Sequence, residues 1–140
     1  MSTTLESPSA TSLPRRLARY PELVAAVAAP ICALVTWLLL IVVGGVDLTV
    51  QLGGAVTSVG WVAVAVTACV AGLVGLLALR LLRRITRRAR GIWTALAVLV
   101  LIGSMTGPLA ATNPAALWTL VTLHGVVAAV VIAIGWRARW

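Results

Sequence analysis

The feature that most constrains this chain is a series of four apolar runs, each long enough to cross a lipid bilayer. A transmembrane helix needs about 20 consecutive, predominantly apolar residues. The runs meet this requirement over residues 23–43, 55–79, 92–110 and 115–136. With 61% hydrophobic residues, 10% charged residues and a mean hydropathy of +1.10, the chain lacks the polar surface of a soluble domain. The sequence therefore predicts an all-α membrane protein, a four-transmembrane-helix bundle.

The 140 residues divide into a short polar segment and a long apolar one. Residues 1–20 are rich in Ser, Thr and Pro, which predicts a disordered cytoplasmic N-terminal tail. Arg15, Arg16 and Arg19 then precede the first apolar run, as in a signal peptide. That run is too long for the apolar part of a signal peptide, so an uncleaved first helix is favoured. We expect residues 21–140 to form one four-helix transmembrane domain.

Residues 80–90, between the second and third runs, carry six of the eleven basic residues. At 100° per residue the arginines occupy one side of a helix and the apolar residues occupy the other. This pattern predicts an amphipathic arginine-rich helix that lies at the membrane surface. No nucleic-acid-binding motif accompanies the arginines, so the expected partner is anionic phospholipid and not nucleic acid. The expected headgroup-binding residues are Arg80, Arg83, Arg84, Arg87, Arg88 and Arg90.

The distribution of arginines predicts the orientation of the chain in the membrane. Three arginines precede the first run, six lie between the second and third runs, and two follow the fourth. All eleven therefore fall on one face, which the positive-inside rule assigns to the cytoplasm. We expect a multi-pass protein of the cytoplasmic (plasma) membrane, N-in/C-in, with the 44–54 loop outside. This asymmetry argues against a dual-topology antiparallel dimer, while a homo-oligomer of uniformly oriented chains stays open.

Small residues recur at every fourth position on the first two predicted helices. Such spacing puts small side chains on one helix face, where they allow a second helix to approach closely. These residues are Ala25, Ala29 and Ala33 on the first helix, and the pairs Ala68 with Gly72 and Ala71 with Gly75 on the second.

Polar residues inside the runs define a candidate pocket. His124 is an ionisable residue about nine positions into the fourth run, roughly 13 Å below the outer surface at 1.5 Å per residue. Ser104 lies at a similar predicted depth, Thr36 is slightly shallower, and Asp47 sits above them in the first loop. These four residues predict a polar or ligand-binding pocket that opens outward. In the alternative interpretation, His124 only donates a hydrogen bond to a neighbouring group and stabilises helix packing.

The remaining chemistry-bearing residues do not match a catalytic or metal-binding pattern. Cys32 and Cys69 do not form a Cys-x-x-Cys motif, and the expectation is two buried free thiols. The sequence contains no phosphate-cradling glycine loop, no His-Glu-x-x-His and no Gly-x-Ser-x-Gly motif. We therefore expect no metal and no cofactor.

Short motifs occur in a definite order along the runs: Gly45-Val46-Asp47-Leu48, Ala71-Gly72-Leu73 ahead of the arginines, Trp93, Ser104 with Pro108, and Leu123-His124. With these motifs the chain resembles, from about Val24 to Ile134, an uncharacterised family of small four-helix membrane proteins from high-GC bacteria, a domain of unknown function. The resemblance implies a four-span fold and brings no known activity.

Three functions are compatible with these residues. The leading hypothesis is a non-enzymatic structural or interaction protein whose basic cytoplasmic face binds anionic lipid or an acidic partner. The first alternative is a small transporter or channel subunit that uses the pocket at His124, Ser104 and Thr36. The second is a membrane enzyme acting on a lipid or isoprenoid, with Asp47 and His124 as acid and base.

Overall fold

The structure of the chain, a computed structural model, describes residues 20–138. The expected N-terminal tail with its three arginines, and Arg139 and Trp140, lie outside the described residues. The described part contains four long helices, a β-hairpin and two short helical turns. In chain order these elements are α1 (Pro21–Leu38) with a wider π-helical turn (Leu39–Val43), β1 (Thr49–Leu52), β2 (Ala55–Ser58), α2 (Trp61–Ile85), α3 (Ala89–Ser104), a 3-10 turn (Pro108–Ala110) and α4 (Pro114–Arg137).

Within residues 20–138, four helical segments are long and apolar enough to cross a membrane, as the sequence predicts. They are Pro21–Val43, Trp61–Ile85, Ala89–Ala110 and Pro114–Arg137. Helices suit a bilayer because they satisfy every interior backbone hydrogen bond within the segment. The chain is mostly helical, as expected, and a short β-hairpin that the sequence analysis does not predict lies between α1 and α2.

The helices run alternately up and down, which places four helix termini at each end of the bundle. One end holds the start of α1, the end of α2, the start of α3 and the end of α4, and we call it the arginine end. The opposite end carries the β-hairpin, and we call it the hairpin end. Viewed down the bundle, α2 and α4 contact each other in the middle. Helices α1 and α3 lie on opposite sides of that pair, and each of them contacts both α2 and α4.

The tightest helix contact joins α1 and α2 through the predicted small residues. Ala25, Ala29 and Ala33 are fully buried, and Ala68 is almost so. A Cβ atom added at Gly72 would lie 2.7 Å from the carbonyl oxygen of Ala25, so the two backbones are in direct contact there. The stripe of small residues therefore packs α1 against α2, as the spacing predicts.

The second predicted small-residue pair on α2 behaves differently. Ala71 is exposed, whereas Gly75 faces α4, where an added Cβ would lie 3.1 Å from a methyl group of Val131. The two residues therefore do not share one contact face, and that part of the prediction is wrong.

Helix α3 is attached to the bundle mainly by Trp93. Only Ala89 and Trp93 are buried on this helix. The Trp93 indole donates a hydrogen bond from Nε1 to the carbonyl oxygen of Gly75 at 2.7 Å. Its ring edge lies over Gly135 of α4, where an added Cβ would be 2.7 Å away from the ring. Gly135 thus leaves the space that the large side chain fills, and Gly75 supplies the hydrogen-bond acceptor.

The segment predicted as a loop and the start of the second span is a β-hairpin. Leu52 pairs with Ala55 across a two-residue turn, and the α2 helix begins only at Trp61, six residues later than expected. Gly53 and Gly54 occupy the turn with φ of 57° and 87°, the left-handed values that such hairpin turns require. In the sequence, this glycine pair between two short alternating segments is the feature from which a hairpin could have been predicted.

The hairpin covers its end of the bundle. Leu48 and Val50 are buried and join the core residues Ala33, Leu120 and Leu123. Because strand residues alternate between two faces, this arrangement puts apolar side chains on the bundle.

The hairpin is also tied to the segment that leads into α4. Val50 pairs with Ala111, and the Thr112 amide donates to the carbonyl oxygen of Thr49 at 3.1 Å. Contacts between residues more than sixty positions apart in the sequence therefore hold the hairpin end closed.

Candidate functional site

The arginine-rich segment is not the single surface helix that the sequence predicts. Helix α2 continues through Ile85, and the backbone at Thr86 is extended, with φ of −144° and ψ of 143°. A tight turn follows, in which the Arg88 amide donates to Oγ1 of Thr86 at 3.2 Å, and α3 begins at Ala89. The chain reverses here because α3 must fold back along α2 for Trp93 to reach its buried position. The arginines are consequently shared among two helix ends and the turn that joins them.

Arg80 forms an ion pair that sequence reasoning missed. Its Nη1 donates to Oε1 of Glu22 at 2.6 Å, and Glu22 is only 6% exposed. The second carboxylate oxygen, Oε2, is buried and has no hydrogen-bond partner among the described residues. Glu22 lies in the first turn of α1, where the helix dipole favours an acidic residue. An acidic residue at the start of the first helix, at the same end of the bundle as the arginines, is the sequence feature that could have predicted this ion pair.

Arg83 and Arg90 meet at the end of α4. Both donate from Nη2 to the carbonyl oxygen of Ala138, at 3.4 Å and 2.9 Å respectively. The last carbonyls of a helix have no intrahelical donor and carry partial negative charge, so guanidinium groups stabilise them. One carbonyl thereby fixes the positions of two arginines from different helices.

A surface depression of about 530 Å³ lies beside this contact. Its lining comes from the last turn of α2, the tight turn and the first turn of α3, and no acidic side chain of residues 20–138 contributes. The lining residues are Arg83, Arg87, Arg88, Ala89, Arg90 and Gly91. Four of the six arginines predicted to bind headgroups therefore line one depression, whereas Arg80 pairs with Glu22 and Arg84 is exposed outside the depression. The arrangement suits an anion and is unsuited to a metal cation.

The polar residues of the predicted outward pocket form local hydrogen bonds. Thr36 donates to the carbonyl oxygen of Cys32, and Ser104 donates to that of Leu101, both at 2.8 Å. Threonine and serine commonly bond back to their own helix in this way.

His124 follows the same pattern. Its Nδ1 lies 2.8 Å from the carbonyl oxygen of Leu120 on the same helix. Because a carbonyl oxygen only accepts, Nδ1 carries the proton in this contact. Asp47 lies at the hairpin end, where its side chain is exposed and its carbonyl oxygen accepts from Nδ2 of Asn113 at 3.1 Å. The hydrogen bonds seen in the structure thus link these predicted pocket residues to other parts of the chain and not to one another.

No group of three or more metal-ligating side chains occurs within residues 20–138. Cys32 and Cys69 are free, and both are partly buried. An apolar groove of about 300 Å³ opens between α1 and the start of α2 and is lined by Leu34, Val35, Trp37, Leu38 and Trp61. The charged depression at the arginine end therefore remains the candidate functional site.

The fold and this site define a class of protein: a multi-pass, four-helix membrane protein with a basic end. A family model matches residues 13–139, and the chain belongs to that family, a family of unknown function designated DUF6069. The expectation of an uncharacterised family is therefore confirmed. No curated protein and no solved structure gave a match.

Proposed function

We propose that this protein is a non-enzymatic integral protein of the cytoplasmic membrane whose arginine end lies at the cytoplasmic surface and binds anionic phospholipid headgroups. The observation that carries the proposal is the separation of charge along the bundle. All seven arginines of residues 20–138 belong to the arginine end: Arg80, Arg83, Arg84, Arg87, Arg88, Arg90 and Arg137. Within residues 20–138, the charged side chain at the hairpin end is that of Asp47.

Two physical effects favour this orientation. Arginine-rich segments are retained on the cytoplasmic side during insertion. Anionic lipids of the cytoplasmic leaflet then attract each basic residue near the surface by about 1 kcal/mol. Both effects act on the same end of this bundle, so insertion and lipid contact reinforce each other.

Reporter fusions test the orientation. Green fluorescent protein fused after Trp140 should fluoresce, and alkaline phosphatase inserted between Gly53 and Gly54 should be active, because the hairpin is expected outside the cell. The reciprocal pair of fusions is the matched control and should be silent. Phosphatase activity at the C-terminus would contradict the proposed orientation.

Lipid selectivity tests the binding partner. In vesicles with spin-labelled lipids, phosphatidylglycerol should contact the purified protein more than phosphatidylcholine does. Surface electrostatics are screened over about 8 Å at physiological salt and about 3 Å at 1 M, so the preference should shrink as salt is added. Equal contact with the two lipids at low salt would contradict lipid binding and would favour an acidic cytoplasmic protein as the partner.

A further inference from the structure

The depression at the arginine end has the donors of a phosphate site and not only a general positive charge. The first three residues of α3, Ala89, Arg90 and Gly91, all line it. Backbone N–H groups in the first turn of a helix have no intrahelical acceptor and carry partial positive charge. The N-cap residue of α3 is Arg88, and no side chain caps this helix start. Backbone and guanidinium donors are therefore available around one space.

Arg90 and the backbone of the turn are held in place before any ligand arrives. Arg90 is fixed by its 2.9 Å hydrogen bond to Ala138. The turn is fixed by the bond from the Arg88 amide to Thr86. Preorganised donors lose less conformational entropy on binding than mobile ones do. The volume of about 530 Å³ is within the range of roughly 300–1,000 Å³ seen for small-ligand sites.

We propose that this depression binds a single phosphomonoester group, presented by a lipid of the phosphatidic acid type. This inference rests on the proposed function, which places the arginine end at an anionic lipid surface. A phosphomonoester has three terminal oxygens and a charge of about −1.5 to −2 at pH 7. A phosphodiester headgroup has only two such oxygens and one charge. Forked guanidinium groups from the turn and the backbone donors of α3 match the monoester better, because each terminal oxygen then receives donors.

Gly91 allows the site to be tested without changing any charge. A Cβ atom added at Gly91 meets no heavy atom within 4 Å, so Gly91→Leu fits the fold and places its side chain beside the depression. Gly103→Leu is the matched control, because it is on the same helix, is equally unobstructed and lies outside the lining. Leucine favours helices more than glycine does, so neither variant should unfold α3.

The charge contribution is tested by a second matched pair. Arg87→Gln combined with Arg88→Gln removes two lining arginines, whereas Arg84→Gln combined with Arg137→Gln removes two exposed arginines outside the lining. Both pairs lower the net charge equally. A variant with Arg87→Lys and Arg88→Lys keeps the charge and loses the forked donors.

In the experiment, each probe is titrated into the full chain in detergent. The change in the thermal unfolding temperature measures binding, and native mass spectrometry measures the number of lipids bound per chain. The probes are dioctanoyl phosphatidic acid, dioctanoyl phosphatidylglycerol and inorganic phosphate. We expect one phosphatidic acid per chain, bound about tenfold or more tightly than phosphatidylglycerol. The Arg87/Arg88 glutamine variant should weaken this binding on the order of 100-fold, since each lost charged hydrogen bond is worth about tenfold.

The remaining variants decide between a site and diffuse attraction. Gly91→Leu should weaken phosphatidic acid binding by about tenfold and Gly103→Leu should not change it, because only the first occupies the binding space. The lysine variant should bind more weakly than the native chain despite its equal charge. Inorganic phosphate that binds as tightly as phosphatidic acid would support the phosphate site and assign it to a soluble phosphate ester.

Two results would overturn the inference, and they are distinguishable. If the Arg84/Arg137 pair loses as much affinity as the Arg87/Arg88 pair and Gly91→Leu changes nothing, the phosphate site is refuted while general anionic-lipid binding stands. If none of the anionic probes binds the native chain, both the site and the proposed lipid function fail.

Discussion

At the hairpin end the chain satisfies the start of a helix with its own side chain, whereas at the arginine end it leaves the start of a helix open. Oδ1 of Asn113 accepts the Ala116 amide at 2.7 Å and so caps α4, while its Nδ2 donates to the carbonyl oxygen of Asp47. Helix α3 begins after Arg88 with no side-chain cap and with arginines around it. The start of α4 is thus capped by the chain itself, whereas the start of α3 keeps the open backbone donors on which the proposed phosphate site rests.

The attachment of the two ends differs as well. The hairpin end is held by several modest contacts spread over the hairpin and the segment before α4. At the arginine end, the large buried side chain of α3 is that of Trp93, and the bonds from Arg90 to Ala138 and from Trp136 to Thr94 add smaller contacts. Substitutions should therefore have large effects at one position of the arginine end and smaller, distributed effects at the hairpin end.

The largest effect is expected for Trp93→Ala. The indole is 3% exposed and fills the space between α2 and α4, so its removal should cost about 3 kcal/mol or more of unfolding free energy. Trp93→Phe keeps one aromatic ring but loses the bond to Gly75 and part of the buried volume, so it should cost more than the roughly 1 kcal/mol of the hydrogen bond and less than Trp93→Ala. Unfolding in mixed detergent micelles measures both. A loss no greater than that for Trp118→Ala, whose side chain is 67% exposed, would contradict the single-anchor description.

A smaller effect is expected for Gly54→Val in the hairpin turn. The φ of 87° at Gly54 is unfavourable for a β-branched residue, and the substitution should cost about 1–2 kcal/mol. Gly53→Asn is the matched control, since asparagine tolerates the φ of 57° at that position. Hydrogen exchange of the strand amides should increase for the valine variant only. Equal exchange in the two variants would show that the turn geometry does not hold the hairpin end closed.

The smallest effect is expected for Asn113→Ala, which removes the α4 cap. Loss of an asparagine cap costs about 1 kcal/mol, and the bond to the Asp47 carbonyl is lost with it. Asn113→Asp keeps a capping oxygen but replaces the Nδ2 donor with a carboxylate oxygen, so it retains the cap while losing the bond to Asp47. The same unfolding measurement should rank the aspartate variant between the alanine variant and the native chain. If both variants match the native chain, the self-capping of this end is unimportant and the contrast with α3 disappears.

The transmembrane pattern was predictable from the sequence because it depends on local properties. Long apolar runs, and small residues at every fourth position, can be recognised within one segment of the sequence without knowing the partner helix. The hairpin was missed because Ala55–Ser58 continues the apolar run that leads into α2, so composition alone does not separate strand from helix there. The Gly53-Gly54 pair is the sequence feature that indicates a hairpin turn here.

The candidate site was half predictable for a similar reason. The six arginines of residues 80–90 indicate an anion-binding surface through their number and position alone. Their division into an ion pair, a helix-terminus contact and a lined depression depends on partners far along the chain, such as Glu22, which is 58 positions from Arg80. Thr36, Ser104 and His124, which the sequence analysis places in one pocket, each bond to a carbonyl oxygen of their own helix, a contact that the residue types alone do not specify.

The sequence by itself determined four helices able to cross a membrane and the concentration of positive charge at one end of them. Hydropathy and charge act on each segment independently of the others, so no partner segment is needed to specify them. Only the tertiary structure decided that α2 stops at Ile85, that Trp93 draws α3 back along the bundle, and that four arginines surround an uncapped helix start. These features require side chains from separate helices to compete for the same space and the same hydrogen bonds, and that competition is settled only when the helices pack.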